Sequence, residues 1–139
     1  MVNRVDPGEL RGTETILVAE DEEALRLLIC EALQQYGYNV LEAADGQDAV
    51  RLSERYALPI HLLIADVVMP QMSGRKLAER ITAARPGVGV LYISGYTDEA
   101  IVRHGVLDPN TAFLQKPFSP GTLARRVRLL LSHRSIGRS

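Results

Sequence analysis

The sequence lacks most of the features that mark specialised classes of protein. Its single cysteine, Cys30, can form neither an internal disulfide nor a zinc site built on several cysteines. No apolar run approaches the roughly 18 residues that a membrane span needs, and the first residues are too polar for a signal peptide. The formal net charge of -1 gives no overall attraction to nucleic acid or to an anionic membrane. We therefore expect a soluble chain in a reducing, intracellular compartment.

What is present is typical of one globular domain. The chain has 139 residues, of which 46% are hydrophobic and 24% are charged. Residues 1–12 combine proline, glycine and mixed charge without an apolar period, and we expect a linker or disordered arm there. Residues 133–139 read as a flexible tail. The domain is expected over 13–132.

Short apolar runs alternate with amphipathic segments along this domain, which predicts strands that alternate with helices. Five strands are expected to include 16–19, 40–41, 62–65, 90–93 and 112–114, and the fourth of five helices is expected over 98–104. The alternation predicts an α/β fold, a doubly wound (βα)5 three-layer sandwich with a parallel sheet. Strands one, three and four are continuously apolar and therefore central, whereas strand two is weaker. The expected strand order is 2-1-3-4-5, the flavodoxin-like arrangement.

Reactive side chains follow four of the five predicted strands. In chain order they are Glu20 and Asp21, Asp66, Ser94, and Lys116. In a doubly wound sheet the ligand site lies beyond the carboxyl ends of the strands. Since neighbouring strands are about 4.8 Å apart, the predicted order brings these side chains together.

Three converging carboxylates need a cation. Two like charges about 4 Å apart repel by roughly 4 kcal/mol at an effective dielectric constant of 20. Oxygen ligands with room for water suit Mg²⁺, or Mn²⁺ as its substitute. With a divalent ion and Lys116, the cluster of Glu20, Asp21 and Asp66 is neutral.

Such a cluster suits phosphoryl transfer. The transferred group carries charge on three oxygens, which the metal, Lys116 and Ser94 with nearby N–H groups can stabilise. A carboxylate can itself accept the group as an aspartyl phosphate. Asp66 is the candidate acceptor because it is central among these groups.

Four segments, ILVAEDEE, LLIADVVMPQMSG, LYISGY and FLQKPF, resemble the response-regulator receiver domain of two-component signalling. The resemblance covers about residues 14–131, and the four segments in this order are far more specific than any one alone. It implies a bacterial cytoplasmic phosphorelay domain in which Asp66 takes a phosphoryl group from a phosphohistidine with Mg²⁺. No turnover is expected beyond self-phosphorylation and slow self-dephosphorylation.

The resemblance also implies a role for each matching metal-site residue. Asp66 and Asp21 are direct metal ligands, and Glu20, where Asp is commoner, acts through water. The backbone carbonyl of Val68 completes the protein's share of the metal shell. Val68 and Tyr96 lie two residues beyond Asp66 and Ser94, where bulky side chains are expected to slow self-dephosphorylation.

Further roles follow from the same resemblance. Ser94 is the hydroxyl switch, Phe113 is the aromatic switch, and Lys116 is the phosphoryl-binding lysine. The peptide bond before Pro117 is expected to be cis, which is a family property and not a general preference of X–Pro bonds.

The context implied by the resemblance is that of a larger signalling protein. The segments RGTETILVAEDE, RPGVGVLYISGYTDEAIVRHG and FLQKPFSPGTLARRVRLLL are most similar to receivers of hybrid sensor histidine kinases. A stand-alone response regulator is the alternative. Expected partners are a histidine kinase or a histidine phosphotransfer domain. A homodimer would use the face of the predicted fourth helix, fifth strand and last helix, and a membrane would be reached only through an attached kinase.

Other functional classes fit the residues less well. An FMN protein cradles phosphate with Ser, Thr and Gly in its first loop, whereas the acids at 20–23 would repel phosphate. A haloacid dehalogenase-type phosphatase, which also has an Asp nucleophile, needs a second acid where this chain has Val68. Nucleic-acid binding through the Arg-rich last helix would lack interleaved aromatic residues.

Overall fold

The computed structural model describes residues 7–95 and 111–136. The strands are Thr15–Ala19 (β1), Asn39–Ala43 (β2), Leu62–Asp66 (β3), Gly89–Ser94 (β4) and Phe113–Gln115 (β5). The helices are Glu23–Gln35 (α1), Gly46–Arg55 (α2), Gly74–Ala84 (α3) and Pro120–Ile136 (α4). The predicted helix over 98–104 lies outside the described residues. In the described part of the chain, no helix has the length and hydropathy to cross a bilayer.

The strands form one parallel sheet in the order β2-β1-β3-β4-β5. Every residue of β1 and β3 is buried, whereas β2, an edge strand, is buried only at Ala43. The predicted order and the central position of the apolar runs are therefore confirmed. This order places the ends of β1 and β3 side by side.

Helices cover both faces of the sheet. Alternate residues of a strand point to opposite faces, so neighbouring residues of β1 belong to different apolar layers. The layer on the side of α2 and α3 contains Leu17, Leu63, Ala49, Leu77 and Ile81. The layer on the side of α1 and α4 contains Ile16, Ile64, Ile29, Leu33, Leu123 and Val127. The result is the predicted three-layer sandwich.

Helix α1 ends at a glycine in the left-handed conformation. Gly37 has a φ of 99°, and its N–H donates to the carbonyl of Gln34 at 3.0 Å. The N–H of Tyr38 donates to the carbonyl of Leu33 at 3.2 Å, which completes a Schellman motif. This ending turns the chain directly into β2.

Part of the segment expected as a linker or disordered arm is ordered: of residues 1–12, the structure describes 7–12. Pro7–Leu10 forms a 3-10 helix in contact with α4, and Leu10 is buried. Arg128 of α4 donates to the carbonyl of Arg11 at 3.2 Å and pairs with Glu14 at 2.7 Å. This segment has no apolar period in the sequence because the contacts that order it are a single buried leucine, Leu10, and a hydrogen bond from Arg128, which is distant in sequence. At the other end, α4 continues to Ile136, beyond the predicted start of the tail at 133.

Candidate functional site

The carboxyl ends of β1, β3, β4 and β5 surround an open depression of about 400 Å³. Its lining residues are Glu20, Asp21, Glu22, Asp66, Val68, Ser94, Gly95 and Lys116. All five reactive residues that the sequence placed at strand ends therefore meet here. Glu22 and Gly95 also line the depression, and only their position next to predicted site residues could have indicated this.

The three acids form one cluster. One oxygen from each of Glu20, Asp21 and Asp66 lies within 4.8 Å of the other two. Glu20 and Asp66 are 0% and 6% exposed, whereas Asp21 is exposed to solvent. Two buried carboxylates and one open carboxylate thus face a common point that solvent can reach.

The environment of the Glu20 carboxylate indicates that a cation would bind at this point. Its Oε2 accepts a hydrogen bond from the N–H of Glu22 at 2.9 Å, but its buried Oε1 has no hydrogen-bond partner. Burial, with the neighbouring Asp66, raises the pKa of Glu20 to about 8. An orphaned carboxylate oxygen beside two further carboxylates matches the oxygen-rich shell that Mg²⁺ or Mn²⁺ prefers.

Asp66 is held through both of its carboxylate oxygens. Oδ1 accepts a hydrogen bond from the N–H of Val68 at 3.2 Å, and Oδ2 accepts one from Nζ of Lys116 at 2.7 Å. Lys116 also lies 3.6 Å from Glu20. Burial alone would lower the pKa of Lys116, but the hydrogen bond and charge of Asp66, with the charge of Glu20, raise it. Lys116 therefore stays protonated, and its ammonium group can bind an anionic group.

Gly74, the first residue of α3, allows the approach that fixes Asp66. Its N–H donates to the carbonyl of Val67 at 3.0 Å, and a Cβ added to it would collide with the carbonyl oxygen of Asp66. Ser73 caps α3 by accepting from the N–H of Lys76 at 3.1 Å. The sequence shows the Ser-Gly pair, but the demand for glycine appears only when the helix start meets the strand end.

The fourth and fifth strands deliver the remaining groups. Ser94 is 1% exposed at the end of β4, and its carbonyl accepts from the N–H of Lys116 at 2.7 Å. The Lys116–Pro117 bond is cis, as the resemblance implied. Phe113 does not line the depression: it is half-buried opposite Tyr92 and packs on the layer of α2 and α3.

Of the two bulky residues expected to slow self-dephosphorylation, Val68 and Tyr96, the structure describes only Val68. Val68 lines the depression and is 58% exposed, so its side chain stands at the rim. Tyr96 lies outside the described residues.

This geometry belongs to a known family. Residues 16–128 match the family model of the response regulator receiver domain. The chain is a member of that family. A receiver domain is the phosphoacceptor of two-component signalling, and it interacts with histidine kinases or phosphotransfer proteins.

Individual relatives agree with the family match. This receiver is 37% identical over 123 residues to the sensor kinase CckA of Brucella abortus, a match that covers 88% of this chain and 13% of the kinase. It is 33% identical over 117 residues to the response regulator receiver protein CpdR of the same organism, covering 84% of this chain and 95% of CpdR. The crystal structure of the receiver domain from hybrid histidine kinase CckA superposes with a TM-score of 0.71 at 38% identity, covering 84% of this chain and 98% of that domain.

Proposed function

We propose that Asp66 of this receiver accepts a phosphoryl group from a phosphohistidine of a kinase or phosphotransfer domain. Mg²⁺, with Mn²⁺ as substitute, would be held by Asp21, Asp66, Glu20 and the backbone carbonyl of Val68. The observation that carries the proposal is the meeting of three carboxylates within 4.8 Å, beside a lysine 2.7 Å from Asp66.

The chemistry is a transfer between two nucleophiles. A carboxylate oxygen of Asp66 forms the new O–P bond while the N–P bond of the donor breaks, and the donor imidazole keeps the electron pair. A bound Mg²⁺ supplies charge neutralisation for the phosphoryl oxygens. Lys116, already hydrogen-bonded to Oδ2, provides an ammonium for a second oxygen. The Ser94 hydroxyl, at the neighbouring strand end, provides a donor for a third.

The fate of the phosphoryl group depends on access of water. The exposed Val68 side chain at the rim supports our proposal that it and Tyr96 slow hydrolysis of the acyl phosphate. Replacing both with small polar residues should shorten the lifetime of the phosphorylated protein. A lifetime that does not fall would contradict this role.

The similarity to CckA supports a receiver within a hybrid sensor histidine kinase, on the cytoplasmic side of any attached membrane segment. The 95% coverage of CpdR favours the second candidate, a stand-alone regulator. In either protein we propose that the receiver spans 13–132. A homodimer would use β5, α4 and the predicted helix over 98–104. Whether kinase-core sequence precedes residue 1 in the parent gene distinguishes the two.

The test of the phosphoacceptor is intact mass after incubation with acetyl phosphate and Mg²⁺. The parent chain should gain one phosphoryl group, and Asp66→Asn should gain none. Asp48→Asn, which changes an aspartate of α2 that is 44% exposed and does not line the depression, is the matched control and should react like the parent. Equal phosphorylation of Asp66→Asn would refute the assignment. Steady release of phosphate by the parent, with no phosphorylated chain, would favour a phosphatase instead.

A further inference from the structure

One arginine, Arg26, contacts the loop that carries two of the three clustered acids, Glu20 and Asp21. Arg26, in the first turns of α1, is largely buried, with 12% of its side chain exposed. Its Nη1 donates a hydrogen bond to the backbone carbonyl of Glu20 at 2.9 Å. The guanidinium also lies 3.8 Å from Glu42 of β2 and 3.9 Å from Glu23. The side chain therefore connects α1, the edge strand and the loop that carries the acids.

The bond to the Glu20 carbonyl is the strongest of these contacts. The Glu42 and Glu23 side chains are 50% and 80% exposed, and such ion pairs contribute little. A charged donor 2.9 Å from a backbone carbonyl, in a largely buried setting, is a stronger interaction.

The loop needs this support because α1 begins without a side-chain cap. Its N-cap residue, Glu22, makes no capping hydrogen bond. The other three α-helices in the described part of the chain are capped by Asp45, Ser73 and Ser119, each of which accepts from a backbone N–H three residues on. Arg26 instead reaches back from inside α1 and holds the chain just before the helix.

That contact fixes the peptide unit between Glu20 and Asp21. The N–H of Glu20 donates to the carbonyl of Ala43 on β2 at 3.2 Å. With the bond from Arg26 to the Glu20 carbonyl, both backbone polar groups of Glu20 are hydrogen-bonded. The direction of this peptide sets where the Asp21 side chain leaves the backbone. Groups that orient metal ligands in this way typically affect metal affinity 10–100-fold, a range of roughly one to two orders of magnitude.

We propose that Arg26 is a positioning residue that sets the Glu20–Asp21 loop for the divalent ion. The inference rests on the proposed metal site. Removing Arg26 should change Mg²⁺ affinity in the direction opposite to the one that electrostatics alone predicts. Arg26 is a cation near the cluster, so removing it should tighten Mg²⁺ binding if only electrostatics mattered. Loss of positioning should weaken binding.

Calorimetric titration with Mg²⁺ alone separates the two. Arg26→Met should raise the Kd about tenfold, and Arg26→Lys, which keeps a donor and the charge, should fall between Arg26→Met and the parent. Arg51→Met removes an exposed arginine of α2 and should leave the Kd unchanged. An Arg26→Met Kd at or below the parent value overturns the proposal. If Arg26→Met does not fold, Arg26→Lys decides: it must bind more weakly than Arg51→Lys, and equal binding overturns the proposal.

A metal-free readout tests the same loop. The N–H of Glu22 donates to Glu20 Oε2, so its hydrogen exchange reports the loop geometry. Exchange at Glu22 should be faster in Arg26→Met than in Arg51→Met, and equal rates would overturn the proposal. A parent that binds no Mg²⁺, or binds it as well after Asp21→Asn, would refute the metal site, while the exchange result would still decide the role of Arg26.

Discussion

At the scale of single residues, the site depends on how closely other parts of the chain approach Asp66. The carboxylate is bound by Val68 and Lys116, and its own backbone carbonyl lies against the start of α3. Gly74 is the residue that permits this approach. A side chain there would have to move either α3 or the end of β3, and the end of β3 carries the phosphoacceptor.

We therefore predict that Gly74→Ala destabilises the domain and slows phosphorylation of Asp66. The added Cβ would meet the backbone of Asp66 and Val67, and overpacking against backbone costs about 1–3 kcal/mol. Urea denaturation and the rate of phosphorylation by acetyl phosphate measure the two effects. The matched control is Gly121→Ala in α4, where the Cβ would meet nothing closer than 3.5 Å. A Gly74→Ala protein as stable and as reactive as the control would show that this approach is not needed.

At the scale of elements, strands were easier to predict than the segments between them. The apolar runs of β1, β3 and β4 predict those strands and their central position, because burial on both faces leaves a local signal. The segment before β1, which packs on α4, shows no such local signal in the sequence. Glu14 is paired with Arg128, 114 residues away in sequence, and no local pattern reports such a contact.

The Glu14–Arg128 pair should give this segment a pH-dependent stability. Burial alone would raise the pKa of Glu14, but the hydrogen bond and charge of Arg128 lower it overall. An acid whose folded pKa is depressed contributes stability above its unfolded pKa of about 4.3, and loses it as pH falls through the lower folded pKa. Glu14→Gln should therefore be less stable than the parent by about 1 kcal/mol at pH 7, with the difference shrinking below about pH 4.3.

Urea midpoints from neutral to acidic pH measure this difference. Glu79→Gln, which alters an exposed pair with Arg75 at 3.9 Å, is the control and should differ little from the parent at any pH. A Glu14→Gln deficit that stays constant through the acidic range would contradict an ionic origin.

At the scale of the whole molecule, the strand order creates the site. The order β2-β1-β3-β4-β5 brings four strand ends with reactive groups together, so Glu20, Asp21, Asp66, Ser94 and Lys116 could be identified from the residues that follow each apolar run. Gly74 and Arg26 could not, because their roles depend on contacts between elements and not on a position after a strand. Phe113 was assigned a role from resemblance alone, and its side chain packs away from the depression.

The most direct measurement is a structure of the chain with Mg²⁺ and beryllofluoride, which mimics a phosphoryl group on a carboxylate. We predict beryllofluoride on Asp66, next to Lys116 and Ser94, with one Mg²⁺ among the oxygens of Asp21 and Asp66 near Glu20. An empty depression, or an ion bound elsewhere with these carboxylates turned apart, would contradict the account.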